Sequence, residues 1–112
     1  MRLYYLELSN YIGIYNGLRV EKLSIDFSKC IHKILVIKGD NGSGKSTIYR
    51  SLTPLSDSTS EIIQNKEGKK RIVYLLDDGS ILDITWIYPI KIDKTGNVYR
   101  TDRKSTRLNS SH

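Results

Sequence analysis

The sequence predicts an α/β fold: a mixed or antiparallel β-meander, one buried strand, a glycine-rich loop opening a helix, and a closing β-hairpin. Three observations carry that expectation. Leu23, Ile25 and Phe27 alternate with Lys22, Ser24 and Asp26, the period of a strand with one buried face. Ile34-Leu35-Val36-Ile37 is continuous rather than alternating, as in a strand covered on both faces, and it leads into the glycine-rich stretch Gly39–Thr47. Arg71–Leu76 and Ile81–Ile87 are β-rich runs on either side of Asp77-Asp78-Gly79-Ser80, a hairpin signature in which Asp78-Gly79 tolerates positive φ.

The remaining elements follow in chain order. Leu3–Leu8, rich in Leu and Tyr and closed by Ser9-Asn10, reads as a first strand. Asn10–Gly17 carries turn signals at Gly13 and Asn16-Gly17 and reads as a loop. Ser28–His32 turn the chain ahead of the buried strand. Lys45–Leu52 is a short helix stopped before Pro54. Residues 55–70 are mostly Ser, Thr, Asp, Asn, Gly and Lys, a surface segment with room for one helical turn at Glu61–Gln64. Tyr88–Val98 is a weaker run, containing Pro89 and a Thr95-Gly96-Asn97 turn.

Composition narrows the class. A chain of 112 residues fits one small domain or a piece of a larger one. Its 38% apolar and 27% charged residues exclude disorder throughout. No apolar run approaches the roughly 20 residues that span a bilayer, so no membrane association is expected. The opening Met1–Glu7 meets a carboxylate too early for a secretory signal. Cys30 is the single cysteine, which excludes an internal disulfide and points to a reducing, cytoplasmic setting. The net charge of +6 permits attraction to a polyanion such as DNA, but the basic residues are scattered, and charge alone reads as a solvated surface.

The last eleven residues, Asp102–His112, have one aliphatic side chain and no apolar period. They resemble the conceptual translation of a DNA-sequencing adapter, so residues 102–112 are expected to be an unstructured tail outside the fold. They contribute a net +2, which leaves +4 on residues 1–101.

The chemistry concentrates in Gly39-Asp40-Asn41-Gly42-Ser43-Gly44-Lys45-Ser46, which satisfies G-x-x-x-x-G-K-[ST] at every fixed position, with Thr47 extending it. A phosphate group needs a concave shell of backbone N–H donors, and Gly39, Gly42 and Gly44 let the main chain curl tightly enough to form one. The helix that follows turns its free amides toward the anion. The motif assigns Lys45 to the β- and γ-phosphates as the catalytic residue, Ser46 Oγ to Mg²⁺, and Thr47 to the α-phosphate. ATP and Mg²⁺ are the implied ligands, and the whole run Gly39–Thr47 is the expected nucleotide site.

Other residues give weaker signals. Val73–Asp78 resembles a Walker B strand ending in a carboxylate, but Gly79-Ser80 and the strand after it favour a hairpin turn. Tyr4, Tyr5, Tyr11 and Tyr15 could stack on adenine, though packing is the simpler role. Trp86 alternates with Ile84 as a sheet-face residue. His32 has no evident metal partner, and Cys30 reads as a small buried side chain. Lys66, Lys69, Lys70 and Arg71 could touch a phosphate backbone, though a solvated loop explains them as well.

The run Ile34–Thr47, ILVIKGDNGSGKST, together with the strands around it over residues 1 to about 90, resembles the ABC-type ATPases of the SMC and SbcC-like DNA-repair group. The opening MRLYYLELSNYIGIYNG and the loop GDNGSGKST are similar to phage-encoded SbcC-like subunits of recombination endonucleases. The resemblance implies a P-loop NTPase fold of the ABC-type ATPase-head kind, with residues 1–101 as its amino-terminal part. It implies a homodimer of heads that hydrolyses ATP, engages DNA ends and works with a nuclease subunit, in the host cytoplasm if phage-encoded. Such heads complete the γ-phosphate site with a partner head's signature loop, so this chain alone is expected to show little or no turnover. One departure is visible: Tyr11-Ile12-Gly13-Ile14 stand where many relatives have a basic residue, a serine and an aromatic, so contacts made by that basic residue do not transfer. Two rival readings share the loop: a small-molecule or nucleotide kinase, against which the β structure ahead of the loop argues, and a non-catalytic, nucleotide-gated DNA clamp.

Overall fold

The computed structural model of the chain describes residues 2–27 and 45–109. Among them are seven strands: β1 (Arg2–Ser9), β2 (Lys22–Asp26), β3 (Gly68–Leu75), β4 (Ile81–Tyr88), β5 (Ile90–Ile92), β6 (Val98–Arg100) and β7 (Arg103–Asn109). Two seven-residue helices, α1 (Ile12–Leu18) and α2 (Lys45–Ser51), and a 3₁₀ turn at Thr59–Glu61 accompany them. Five strands form one sheet in the order β2-β1-β3-β4-β7, and β5 pairs with β6 separately.

This architecture corrects the α/β, P-loop NTPase fold of the ABC-type head expected from sequence. Every described pairing is antiparallel. Parallel neighbours need a long crossover connection, usually a full-length helix, whereas β3 and β4 turn straight back on each other. The period-two alternation of the strands, with one polar face, is the mark of an antiparallel sheet. The continuous run Ile34–Ile37 lies outside the described residues.

Two local expectations also change. Asn10–Gly17 was expected as a loop, yet Ile12–Leu18 is helical. Its turn-forming residues are poor helix formers, but Tyr11 and Ile14, both essentially fully buried, tie the segment to the core, and such packing outweighs intrinsic propensity. Arg19 closes α1 in the left-handed region, its N–H bonding to Tyr15 O. Arg103–Asn109, expected to be unstructured, forms β7, in register with Ile81–Ile87 of β4. An edge strand offers a row of unpaired backbone groups that an extended segment can fill with little regard to side chains. All seven β7 residues are accordingly exposed, with Lys104 lying over the Trp86 ring.

Alternation sorts the side chains of the large sheet onto two faces. Pairs such as Leu6↔Ile25 and Ile72↔Ile84 point to one side, where Tyr11, Ile14 and Ile48 from the helices complete the core. On the other face Glu7 is 6% exposed yet charged, with Lys22 at 3.0 Å and Lys69 at 3.3 Å from its two oxygens. Burial pushes its carboxyl up, but the two lysines outweigh that and hold it below its ordinary value of 4.5. Beside it the Arg71 guanidinium grips both oxygens of Asp83 and covers the Tyr5 ring at 5.4 Å.

The core face holds a charge as well. Lys70, expected on a solvated loop, has no exposed surface, because the alternation of β3 that sends Lys69 and Arg71 outward sends Lys70 inward. Its ammonium donates to Leu55 O at 2.9 Å and to Asp57 Oδ1 at 3.2 Å. Asp57 Oδ2 accepts from the Tyr11 hydroxyl at 2.6 Å, and Asp57 N–H donates to the Tyr88 hydroxyl at 3.0 Å. Burial pulls the Lys70 ammonium below its ordinary value against the pull of Asp57, and burial with Asp57 pushes the Tyr11 phenol far up. The segment leaving α2 is thus fastened to β1's exit, β3 and β4, with Trp86 Nε1 adding a bond to Pro54 O at 3.0 Å. Replacing Lys70 by Ala strands the Asp57 carboxylate, whose side chain is 9% exposed. The expected loss is about 3–5 kcal/mol of stability, read as a lower urea midpoint; a loss below about 1 kcal/mol would show the pair to be incidental.

Candidate nucleotide-phosphate site

Gly39, Asp40, Asn41, Gly42, Ser43 and Gly44 lie outside the described residues, as do Cys30 and His32. The described part of the motif is Lys45-Ser46-Thr47, and it opens α2, with Lys45 as the first helical residue. Three side chains of this short helix are held inside: Thr47 at 3% exposure, Ile48 at 4% and Ser51 at 1%. Ser46 and Tyr49 face outward. The helix therefore has a fixed inner face and presents Ser46 to solvent in its first turn.

What fixes that face is α1. A Cβ built on Gly13 would stand 1.7 Å from Thr47 Oγ1 and 2.9 Å from Thr47 Cβ. Thr47 thus sits in the notch that the glycine leaves, and Ile14 of α1 and Ile48 of α2 belong to the same buried core. Thr47 Oγ1 also accepts a long bond of 3.5 Å from Arg50, whose guanidinium reaches Glu61 at 3.2 Å. The Thr47 hydroxyl, assigned to the α-phosphate from sequence, is in this structure engaged between α1 and Arg50.

The exposed Ser46 hydroxyl suits a magnesium ion that arrives on a nucleotide. Mg²⁺ keeps much of its shell as water and phosphate oxygen and takes only one or two protein oxygens. Among the described residues no group of three or more His, Cys, Asp or Glu is placed to hold a metal.

The Walker B look-alike is a turn. Leu76 N–H donates to Ser80 O at 2.9 Å and Gly79 N–H to Leu76 O at 3.0 Å, with Gly79 at φ 88°. This is a type I turn closed by a glycine bulge, one of the standard short hairpin connections. Asp78 Oδ1 accepts from the Ser80 N–H and hydroxyl, which hold its carboxyl below the ordinary range. Of the Asp78-Gly79 pair, only Gly79 adopts positive φ.

The tyrosines separate by role: Tyr11 is in the buried network, Tyr5 lies under Arg71, Tyr4 is half-buried, and Tyr15 is 42% exposed on α1. Lys66, Lys69 and Arg71 each pair with a carboxylate, of Glu21, Glu7 and Asp83 respectively. Sequence reasoning missed two features that seat α2, Gly13 and the Lys70–Asp57 pair. A glycine among turn-formers reads as a turn, and a lysine in a basic run reads as surface. Replacing Gly79 by Ala forces a side chain into the left-handed region, and the expected cost is about 1–2 kcal/mol of stability with nucleotide binding unchanged. A loss of nucleotide binding in the folded variant would return the Asp77–Asp78 carboxylates to the site.

Among the described residues no helix is long and apolar enough to cross a membrane. Comparison of the chain with family models, with curated proteins and with solved structures finds no match.

Proposed function

We propose that this chain is the ATP-binding amino-terminal part of an ATPase that processes DNA ends together with a nuclease subunit in the cytoplasm. The observation that supports this reading is a joint one. The sequence satisfies every fixed position of the phosphate-binding motif, and a helix begins on the motif's own lysine. In this reading the amides around Gly42–Ser46 and the Lys45 ammonium receive the β- and γ-phosphates. The Ser46 hydroxyl is the protein's ligand to the magnesium, and the ion supplies positive charge that offsets the phosphate oxygens. The DNA-processing role, the nuclease partner and the pairing of two ATPase subunits rest on the resemblance of ILVIKGDNGSGKST and its flanking strands to the SMC and SbcC-like group. A second subunit completes the γ-phosphate site, so binding by this chain proceeds without appreciable turnover.

The test is a titration of Mg-ATP into the 112-residue chain and its Lys45→Ala variant, with phosphate release measured in parallel. The expected result is saturable binding that the variant weakens by about tenfold or more, as loss of a charge-assisted bond requires, and negligible phosphate release from both. Equal binding by the two proteins, or none by the parent, contradicts the proposal.

A further inference from the structure

The nucleotide reading leaves open what fixes the height and angle of α2, on which the positions of Lys45 and Ser46 depend. The helix is only seven residues long, and a helix of that length has little stability of its own. Its seat must come from its neighbours. We infer that Gly13 of α1 is a positioning residue of the nucleotide site: the missing side chain lets α2 dock through Thr47 at the depth that presents Lys45 and Ser46 to the phosphates. The inference rests on the phosphate-binding reading above.

The geometry is specific to glycine. A methyl group at position 13 would stand 1.7 Å from Thr47 Oγ1, roughly half the distance at which such atoms touch. Thr47 is 3% exposed, and Ile48 and Ser51 of the same helix are buried too, so its side chain has little open space to move into. Relief must come from α2 moving as a body. Thr47 is two residues from Lys45 on the same short helix, so the movement passes directly to the residues of the proposed phosphate site. Displacements of about 1 Å in such groups can weaken function by roughly a hundredfold.

Helix propensity predicts the opposite sign. Gly13 lies within α1, and an alanine there favours the helix by about 1 kcal/mol in the absence of other contacts. A harmful Gly13→Ala is therefore diagnostic of the notch rather than of α1 itself. The control is Thr47→Ala, which removes the hydroxyl at 1.7 Å and leaves Thr47 Cβ at 2.9 Å as the nearest obstacle.

The experiment measures ATP affinity, with and without Mg²⁺, for the 112-residue chain and for Gly13→Ala, Thr47→Ala, the double variant and Lys45→Ala, each checked for folding by circular dichroism. The expected result is that Gly13→Ala weakens Mg-ATP binding by about tenfold or more and loses the enhancement that Mg²⁺ gives, since Ser46 is displaced. The double variant should bind nearly as well as Thr47→Ala alone, a coupling that independent sites do not show. If Gly13→Ala fails to fold, recovery of fold and binding in the double variant supports the inference, and failure of the double variant overturns it. Parental affinity in Gly13→Ala, or additive losses in the double variant, also overturns it. Those outcomes stay distinct from failure of the phosphate reading, which shows as parental affinity in Lys45→Ala.

Discussion

An ammonium group with no exposed surface sits inside this small protein, and the arrangement around it organises the rest. Lys70 can be buried only because Asp57 supplies a carboxylate and Leu55 a carbonyl within reach of its three donors. Asp57 in turn is shared, by the Tyr11 hydroxyl at the start of α1 and, through its own N–H, by Tyr88 at the end of β4. One residue pair thus joins the exit of β1, the start of β3, the end of β4 and the chain that leaves α2. Among the described residues no buried side-chain polar atom lacks a hydrogen-bond partner, so the network is closed.

The consequence for function runs through α2. Its far end leads into Pro54–Asp57, held by Trp86 and Lys70, its middle is buried through Ile48, and its beginning leans on Gly13 through Thr47. A helix fixed at these three places does not set the position of its first turn by its own propensity; the sheet does. That is the feature a phosphate site needs, because a cradle of amides is effective only when it is preorganised before the anion arrives. The antiparallel sheet serves here as the support for a short helix whose opening residues are the ones proposed to meet the phosphates.

Much of this was legible in the residues, and the gaps have physical causes. Alternation located β2, β-rich composition located β3 and β4, and Asp78-Gly79 marked the turn between the last two, because period, composition and turn chemistry are local properties. Lys45–Leu52 was legible as a helix from the proline that stops it. The fold class was not, since the strand–loop–helix motif argued for an α/β P-loop fold, whereas every described pairing is antiparallel. Nor was α1, because Gly13, Asn16 and Gly17 argue for a loop and only the burial of Tyr11 and Ile14 overrides them. The inward turn of Lys70 depends on a carboxylate thirteen residues earlier, and the pairing of Arg103–Asn109 depends on a free edge. Both are tertiary facts. The phosphate motif itself stood out, but the contact that seats it, a glycine against a threonine 34 residues away, leaves no pattern in the chain.

The central claim is that the phosphates of a magnesium nucleotide meet the first turn of α2 in its fixed seat. The most direct measurement is a two-dimensional amide correlation spectrum of the ¹⁵N-labelled chain as Mg-ATP is added. Saturable shifts of the Lys45, Ser46 and Thr47 amides are expected, with a smaller linked shift at Gly13. Shifts that leave Lys45–Thr47 unmoved while the nucleotide binds elsewhere would contradict it.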